Sequence, residues 1–336
     1  MHHEEGKAPL FHKVIIESGA STSRAVRPFS ADIHERQFKD FLDATGCPTD
    51  CPKDEIFPYL RSVSYETVTK AQTAVFDKYN PSLQWAFQPI IDGDVIPRPP
   101  LESWKSSKFH KVPIMTGFCR NEGSMYVDKQ MSKSEQFTDF FAELLPLLSP
   151  SDISTIDELY PDPSKFADSP YVETRDNVGS QYKRIEAAYA QYAYVAPVRQ
   201  TAEFASAAMS SPVYLYQWAL DSTVLNLANH GDNMRYEVVD PAVVKISPTQ
   251  RELARTFNAY LTSFIATGDP NKIAPKDLNC PQWESYAREE PKAMVFGLEN
   301  KELVGGPTGP SAQLLPDTWA RKESEFWWSK VDLSQQ

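Results

Sequence analysis

The chain has 336 residues and a formal net charge of −11, because 45 acidic residues outnumber 34 lysines and arginines. Hydrophobic residues make up 41% of the chain and charged residues 24%, which is the balance of a globular protein with a sizeable buried core. The negative charge argues against a nucleic-acid partner, since a phosphate backbone would be repelled. No apolar run approaches the roughly 18–20 residues that an integral membrane segment needs.

The first residues combine two histidines and two acids, His2, His3, Glu4 and Glu5, which could be imagined as metal ligands. Neighbouring residues on a helix do not face one ligand, so we favour a polar loop or helix end and expect no metal here. The segment has no apolar stretch and no small-residue cleavage site, and therefore does not resemble a signal peptide.

Three apolar runs predict buried strands, with helical stretches between them. The first is at residues 14–16, where β-branched side chains follow one another without a polar break; the others cover residues 111–118 and 213–218. Uninterrupted runs of this kind are typical of strands that are covered on both faces, as in a parallel sheet. Strands that alternate with helices indicate the α/β class.

The clearest helix spans about residues 249–267, where apolar side chains recur at helical spacing. Ser247 can cap its start, Pro248 suits its first turn and Gly268 ends it.

Two further helices are predicted. One spans residues 181–208, but Pro197 must kink or break it. The other spans residues 318–330 and is amphipathic, with aromatic anchors that include Trp319 and Trp327.

Two loops that follow predicted strands could carry chemistry. Glu122 lies in the first, at residues 117–124, and His230 in the second, at residues 229–233. Catalytic groups collect at the carboxyl ends of parallel strands, where an acid can orient a histidine that acts as general base. The alternatives are a solvated loop acid and a surface histidine. The order of acid and then histidine along the chain matches that of the α/β-hydrolases and favours catalysis.

Five motifs, in the same order along the chain, resemble those of the carboxylesterase type B family, which includes cholinesterases and fungal lipases. They are F-H-K-V-I-I-E-S-G at residues 11–19, F-Q-P-I-I-D-G at 87–93, N-E-G-S at 121–124, H-G at 230–231, and T-G-D-P-N with P-Q-W between 267 and 283. The resemblance implies an α/β-hydrolase fold in one domain at residues 1–336. It also implies hydrolysis of a small-molecule or lipid carboxylic ester through an acyl-enzyme, with Glu122 and His230 as catalytic residues and no cofactor or metal.

The resemblance also shows a missing part. The family's nucleophile lies in G-E-S-A-G, which should fall shortly before Met1, and neither this motif nor the Gly-rich oxyanion loop occurs in the chain. Ser18 is not expected to be the nucleophile, because it lacks both framing glycines of G-x-S-x-G. Its segment instead matches the family's strand that follows the nucleophile. We therefore expect an incomplete domain whose N-terminal strands are missing and which, alone, is inactive. Its first strand would expose an unpaired edge that favours self-association.

Two smaller departures concern the histidine loop and the cysteines. The family usually has an acid three residues after the histidine, where this chain has Asn233, and loss of the acid would loosen His230. The family's disulfide near Cys47 lacks its partner, because Tyr59 stands near the expected position and Cys51 is the nearest substitute. The C-x3-C spacing of these cysteines could indicate a metal site, but no second pair of ligands lies nearby.

Two hypotheses for the function follow. The first is a serine ester hydrolase that is truncated in this chain, and the second is a non-catalytic, esterase-like protein for binding or adhesion. Retention of both Glu122 and His230 favours the hydrolase, because a binding protein has no need of either. Neither the identity of the ester nor the localisation is indicated, since a targeting segment would lie in the missing part.

Overall fold

The structure is a computed structural model that describes residues 8–23, 26–273 and 275–334. The metal-ligand hypothesis for His2, His3, Glu4 and Glu5 falls outside these residues. The strands are β1 (Val14–Glu17), β2 (Arg27–Pro28), β3 (Ile90–Ile91), β4 (Ile114–Cys119), β5 (Val213–Trp218), β6 (Lys292–Phe296) and β7 (Ala312–Pro316). The three predicted strands are confirmed as β1, β4 and β5.

Helices occupy most of the chain between these strands. They are α1 (Asp32–Thr45), α2 (Ile56–Ser62), α3 (Tyr65–Tyr79), α4 (Pro100–Lys105), α5 (Ser134–Leu144), α6 (Pro150–Leu159), α7 (Tyr182–Ala190), α8 (Ala196–Ala208), α9 (Met234–Glu237), α10 (Pro241–Val244), α11 (Pro248–Thr267), α12 (Arg321–Ser329) and α13 (Val331–Ser334). Short 3₁₀ turns cover Glu122–Met125 and Glu302–Val304, and a π turn covers Gln191–Val195. No described helix combines the length and apolar character needed to cross a bilayer.

The main sheet has the strand order β1-β4-β5-β6-β7. The pairs β1–β4, β4–β5 and β5–β6 are parallel, and β7 runs antiparallel to β6. β2 and β3 form a separate parallel pair. A mostly parallel sheet between helices confirms the predicted α/β class.

Both faces of the sheet are covered, and β5 shows why its sequence is mostly apolar, with Gln217 as the exception. Val213 and Leu215 face the cluster that includes α8, whereas Tyr214 and Trp218 face the cluster that includes α11. Successive side chains of a strand point to opposite faces, so a strand with helices on both sides has little room for polar side chains. This arrangement leaves the strand ends as the places where polar groups can gather.

The predicted helix at residues 249–267 is confirmed as α11. The Ser247 side chain accepts a hydrogen bond from the Gln250 N–H, which satisfies one of the free donors of the first turn. Gly268 ends the helix with a φ of 80°, and its N–H donates to the Phe264 carbonyl at 2.7 Å. A residue other than glycine would be strained in that conformation.

The expected irregularity near Pro197 takes the form of a π turn. α7 runs through Gln191–Val195 into α8, and Pro197 is the second residue of α8. Proline has no N–H to donate to the preceding turn and its ring crowds that turn, so a widened turn accommodates it without ending the helix. The predicted helix at residues 318–330 is shorter than expected, because α12 begins at Arg321 and Trp319 lies before it, with its ring 6.2 Å from that of Phe118.

β1 lies at one edge of the main sheet and pairs with β4 among the described residues. On the β4 side, the N–H of Val14 donates to the Pro113 carbonyl at 3.0 Å, and the N–H of Ser18 donates to the Gly117 carbonyl at 2.8 Å. The alternation of a parallel ladder therefore directs the N–H of Ile15 away from β4. Unpaired strand edges invite pairing with another chain.

We predict that the purified chain self-associates through this edge. Ile15→Pro removes the outward donor and is expected to shift the protein toward the monomer in sizing chromatography. Ile15→Ala is the matched control, because it shortens the same side chain and keeps the N–H. A wild-type chain that elutes as a sharp monomer at all concentrations and melts cooperatively would contradict this prediction.

Candidate active site

The acid predicted from the sequence, Glu122, is the first residue of the turn that follows β4, and its side chain is 0% exposed. β4 ends at Cys119, whose N–H donates to Glu122 Oε1 at 2.6 Å. The other oxygen, Oε2, lies 2.5 Å from His230 Nδ1. Both oxygens of the carboxyl group are thus hydrogen-bonded, one to a strand end and one to the histidine ring.

His230 lies in the loop after β5, beside the acid loop, because β4 and β5 are neighbours in the sheet. A parallel bridge joins Asn121 to Asn229 beyond the strand ends, and the Asn121 N–H donates to the Ala228 carbonyl at 2.9 Å. The bridge extends the ladder to the residue before His230, so the register of the sheet places acid and imidazole together. The histidine side chain remains 30% exposed, although its Nδ1 is bonded to a buried group.

Asn229 holds the histidine loop in shape. Its side-chain oxygen accepts from the Ser124 hydroxyl at 2.6 Å, and its side-chain NH₂ donates to the Ser222 hydroxyl at 2.9 Å. Its backbone N–H donates to Asp232 Oδ2 at 2.8 Å. The buried amide therefore connects the histidine loop to the acid loop through Ser124 and to its own first residues through Ser222.

Two tyrosine rings form the wall beside the imidazole. The ring centroid of Tyr126 lies 5.5 Å from that of His230, and the ring centroid of Tyr194 lies 5.1 Å from it. Edge-to-face and tilted contacts at these distances are favourable between aromatic rings. Together with the Glu122 contact, they fix the plane of the imidazole.

A second carboxyl group, that of Glu186, lies buried beneath the acid loop. It accepts from the Asn121 side chain at 3.1 Å, and burial raises its pKa to about 8. α7 approaches so closely that a Cβ on Gly123 would lie 2.2 Å from the Glu186 carbonyl oxygen. At neutral pH Glu186 is protonated, so it adds no second negative charge next to Glu122.

A third set of polar groups lies where β1, β4 and β5 end. The ring of Tyr216 lies over Gly117, where a Cβ would come within 2.2 Å of it, and its hydroxyl donates to Glu17 Oε1 at 2.7 Å. The Asn233 side chain donates to Glu237, and burial, followed by the nearby Glu17, raises the pKa of Glu237 to about 8. Asn233, which replaces the family's usual acid, thus bonds to a carboxyl group one helical turn further on.

The structure also shows where the remaining sequence candidates lie. Ser18 follows β1 with a φ of 49°. Among the described residues, no serine, threonine or cysteine side chain hydrogen-bonds to His230. Cys47 and Cys51 are free thiols. No group of three or more His, Cys, Asp or Glu side chains in the described ranges could hold a metal ion.

Sequence reasoning missed three residues that support the pair. Asn229 was visible beside the histidine, but nothing indicated that its amide would connect the histidine loop to the acid loop. Glu186 and Glu237 carried almost no signal, because Glu186 reaches the site from α7 and Glu237 lies near Glu17, and no local pattern records either contact. The only available hint was the position of Glu186 in a helical stretch rich in alanine and tyrosine. A carboxyl group that is buried in such a stretch must be hydrogen-bonded or protonated.

Residues 1–313 match the carboxylesterase family. The chain belongs to this family. Secreted lipase 4 of Gibberella zeae is 26% identical over 329 residues, which cover 97% of this chain and 56% of the lipase. Neuroligin-2 of Homo sapiens is 26% identical over 357 residues, which cover 97% of this chain and 39% of that protein. The chain thus spans about half the length of these relatives, or less.

The fold is similar to that of a solved structure. The crystal structure of Aspergillus niger EstA matches with a TM-score of 0.76 at 19% identity, over 97% of this chain and 60% of EstA. The α/β-hydrolase type of fold inferred from the motifs is thereby confirmed.

We predict that Glu186→Gln stabilises the protein increasingly as the pH rises. The folded-state pKa of about 8 exceeds the ordinary value of 4.5, so between these values the folded protein holds a proton that the unfolded chain has released. The wild-type free energy of unfolding should therefore fall, relative to that of the variant, by up to about 1.4 kcal/mol per pH unit in this window. Urea unfolding of both proteins at several pH values between 5 and 8 measures the difference.

Glu135→Gln is the control for this prediction, because it removes one negative charge from an exposed position. A difference between wild type and Glu186→Gln that does not grow with pH would show that Glu186 is not buried in its protonated form.

Proposed function

We propose that Glu122 and His230 are the acid and the base of a serine ester hydrolase. With its Nδ1–H donated to the carboxylate, the imidazole has Nε2 free to take a proton from an attacking hydroxyl and to return it to the leaving alcohol. Glu122 fixes this tautomer and stabilises the charge that the ring acquires. The 2.5 Å contact between two loops that are 108 residues apart along the chain carries the proposal.

The attacking group is the remaining part of the mechanism. The 336 residues contain no G-x-S-x-G sequence, and that motif presents the nucleophile of this fold on a sharp turn after a strand. We therefore propose that this polypeptide, on its own, has negligible esterase activity.

A second candidate function is binding without catalysis, which the absence of the nucleophile motif favours. The buried Glu122–His230 pair argues against it. Holding a carboxyl group at 0% exposure beside a histidine is costly for the fold and serves no purpose in a surface that only binds.

Hydrolysis of a short p-nitrophenyl ester by the purified chain tests the proposed inactivity. We expect a rate close to that of the buffer, unchanged by Ser18→Ala, because neither Ser18 nor any other described hydroxyl reaches the imidazole. Robust turnover that Ser18→Ala abolishes would make Ser18 the nucleophile and overturn this part of the proposal.

The acid–base roles are tested on the longer reading frame, if the coding sequence before Met1 contains an in-frame G-E-S-A-G. In that protein, His230→Gln should lower kcat by about 10⁶-fold and Glu122→Gln by about 10⁴-fold, with little change in KM. His12→Gln is the matched control, because it makes the same change at an exposed histidine. Full activity of either site variant would overturn the acid–base roles, and an upstream sequence without the motif would favour the binding protein.

A further inference from the structure

An apolar pocket is separated from His230 by two aromatic rings. Tyr189 lines this pocket. Its ring centroid is 6.0 Å from that of Tyr126 and 6.2 Å from that of Tyr194, and both of these tyrosines contact the imidazole. The same aromatic cluster thus joins the pocket to the wall beside His230, which makes the pocket the candidate place for one half of an ester held at the site.

Most of the pocket wall is apolar and comes from segments that are tied together. The apolar side chains are Ile33, Leu83, Trp85, Leu144, Leu145 and Tyr192. The Gln37 side chain donates to the Gln84 carbonyl at 2.7 Å, which connects α1 to the segment before β3. The Gln84 side chain in turn donates to the Glu143 carbonyl at 2.6 Å, which connects that segment to α5. These bonds tie the walls of the pocket to one another.

One part of the pocket is polar and basic. Arg27 and His34 line it, and none of the described residues that line the pocket is an aspartate or glutamate. The Arg27 guanidinium has no hydrogen-bond or ion-pair partner among the described residues. His34 Nε2 is buried and also lacks a hydrogen-bond partner among them. Two unsatisfied nitrogen groups at the end of an apolar pocket are what an anionic oxygen would satisfy.

The charge at this end comes from Arg27. Burial and then the neighbouring Arg27 lower the pKa of His34, so His34 is neutral at neutral pH. Burial also lowers the pKa of Arg27, but a guanidinium stays protonated. The acids of α1 nearest to this end, Asp32 and Glu35, line an open groove on the other side of Arg27, together with Arg36. The pocket thus presents a local positive charge in a protein whose net charge is −11.

We propose that the pocket receives the apolar arm of an ester that ends in a carboxylate, with Arg27 binding the carboxylate and His34 Nε2 completing its hydrogen bonds. The substrate class would then be esters in which one half is an apolar acid-bearing group, such as a monoester of a dicarboxylic acid. The assignment of this ligand as a substrate rests on the proposed ester hydrolysis, but the binding itself requires no nucleophile.

Binding to the 336-residue chain tests the proposal without any turnover. The probes are 4-phenylbutyrate and 4-phenylbutanol, which share the apolar arm and differ in the charged end, and isothermal titration calorimetry measures both. We expect the acid to bind at least about tenfold more tightly than the alcohol, because a charge-assisted contact is available to the acid alone. Equal affinities, or no binding of the acid, would overturn the proposal.

Two charge-matched variants locate the effect. Arg27→Gln should abolish the preference for the acid, and Arg36→Gln should keep it, although both remove one positive charge from the same region. An equal loss in both variants would mean that the general field, and not the pocket, selects the anion. If Arg27→Gln does not melt cooperatively, Arg27→Lys replaces it, and it should keep the charge preference at reduced affinity because the planar guanidinium is lost.

His230→Ala separates this proposal from the proposed function. It should leave the preference for the acid unchanged, because the imidazole does not line the pocket. An ester hydrolase without an acid preference would refute the substrate class alone. An acid preference in this chain, together with a longer protein that contains the nucleophile motif and yet lacks hydrolase activity, would refute only the catalytic roles. Loss of the acid preference in His230→Ala would contradict the placement of the anion at Arg27.

Discussion

The contact between the carboxyl group of Glu122 and the imidazole of His230 determines how the rest of the site is arranged. The two residues come from loops that follow neighbouring parallel strands, β4 and β5, and a bridge between the two loops continues the ladder beyond the strand ends. Any shift in the register of these strands would separate acid and base. The aromatic clusters on both faces of the sheet therefore serve the site as well as the core, because they hold that register.

Glu122 is 0% exposed, so the free-energy cost of removing its carboxyl group from water has to be offset by hydrogen bonds inside the protein. A backbone N–H from the end of β4 and the ring nitrogen of His230 satisfy its oxygens. Glu186, directly beneath, is protonated because burial raises its pKa to about 8, so the two acids do not repel each other at neutral pH. The same principle applies to Glu237, whose raised pKa lets it lie beside Glu17 at the ends of the neighbouring strands.

The parts of this arrangement that could be predicted from sequence are those with a local signal. Uninterrupted apolar runs predicted β1, β4 and β5, the capping residues predicted α11, and the position of Glu122 and His230 after strands marked them as partners. The amide of Asn229, the buried carboxyl of Glu186 and the basic end of the pocket at Arg27 could not be predicted. Each depends on segments far apart in the chain, and no local pattern records which of them meet.

The pocket lined by Tyr189 is the part of the structure in which a choice among substrates would arise. In the proposed function, the Glu122–His230 pair would act on any ester, whereas the basic group at Arg27 would choose among esters by the charge at the far end of the substrate. Reactivity and selectivity would then come from separate parts of the chain: the strand ends would hold the first, and α1 with the segment around β3 would hold the second.

Proton NMR of the purified chain tests the central contact most directly. The Nδ1 proton of His230, bonded to a buried carboxylate, should give an exchange-protected resonance far downfield of the backbone amides, which disappears in His230→Gln and moves upfield in Glu122→Gln. A wild-type spectrum without this resonance, or a resonance that Glu122→Gln leaves in place, would contradict the account.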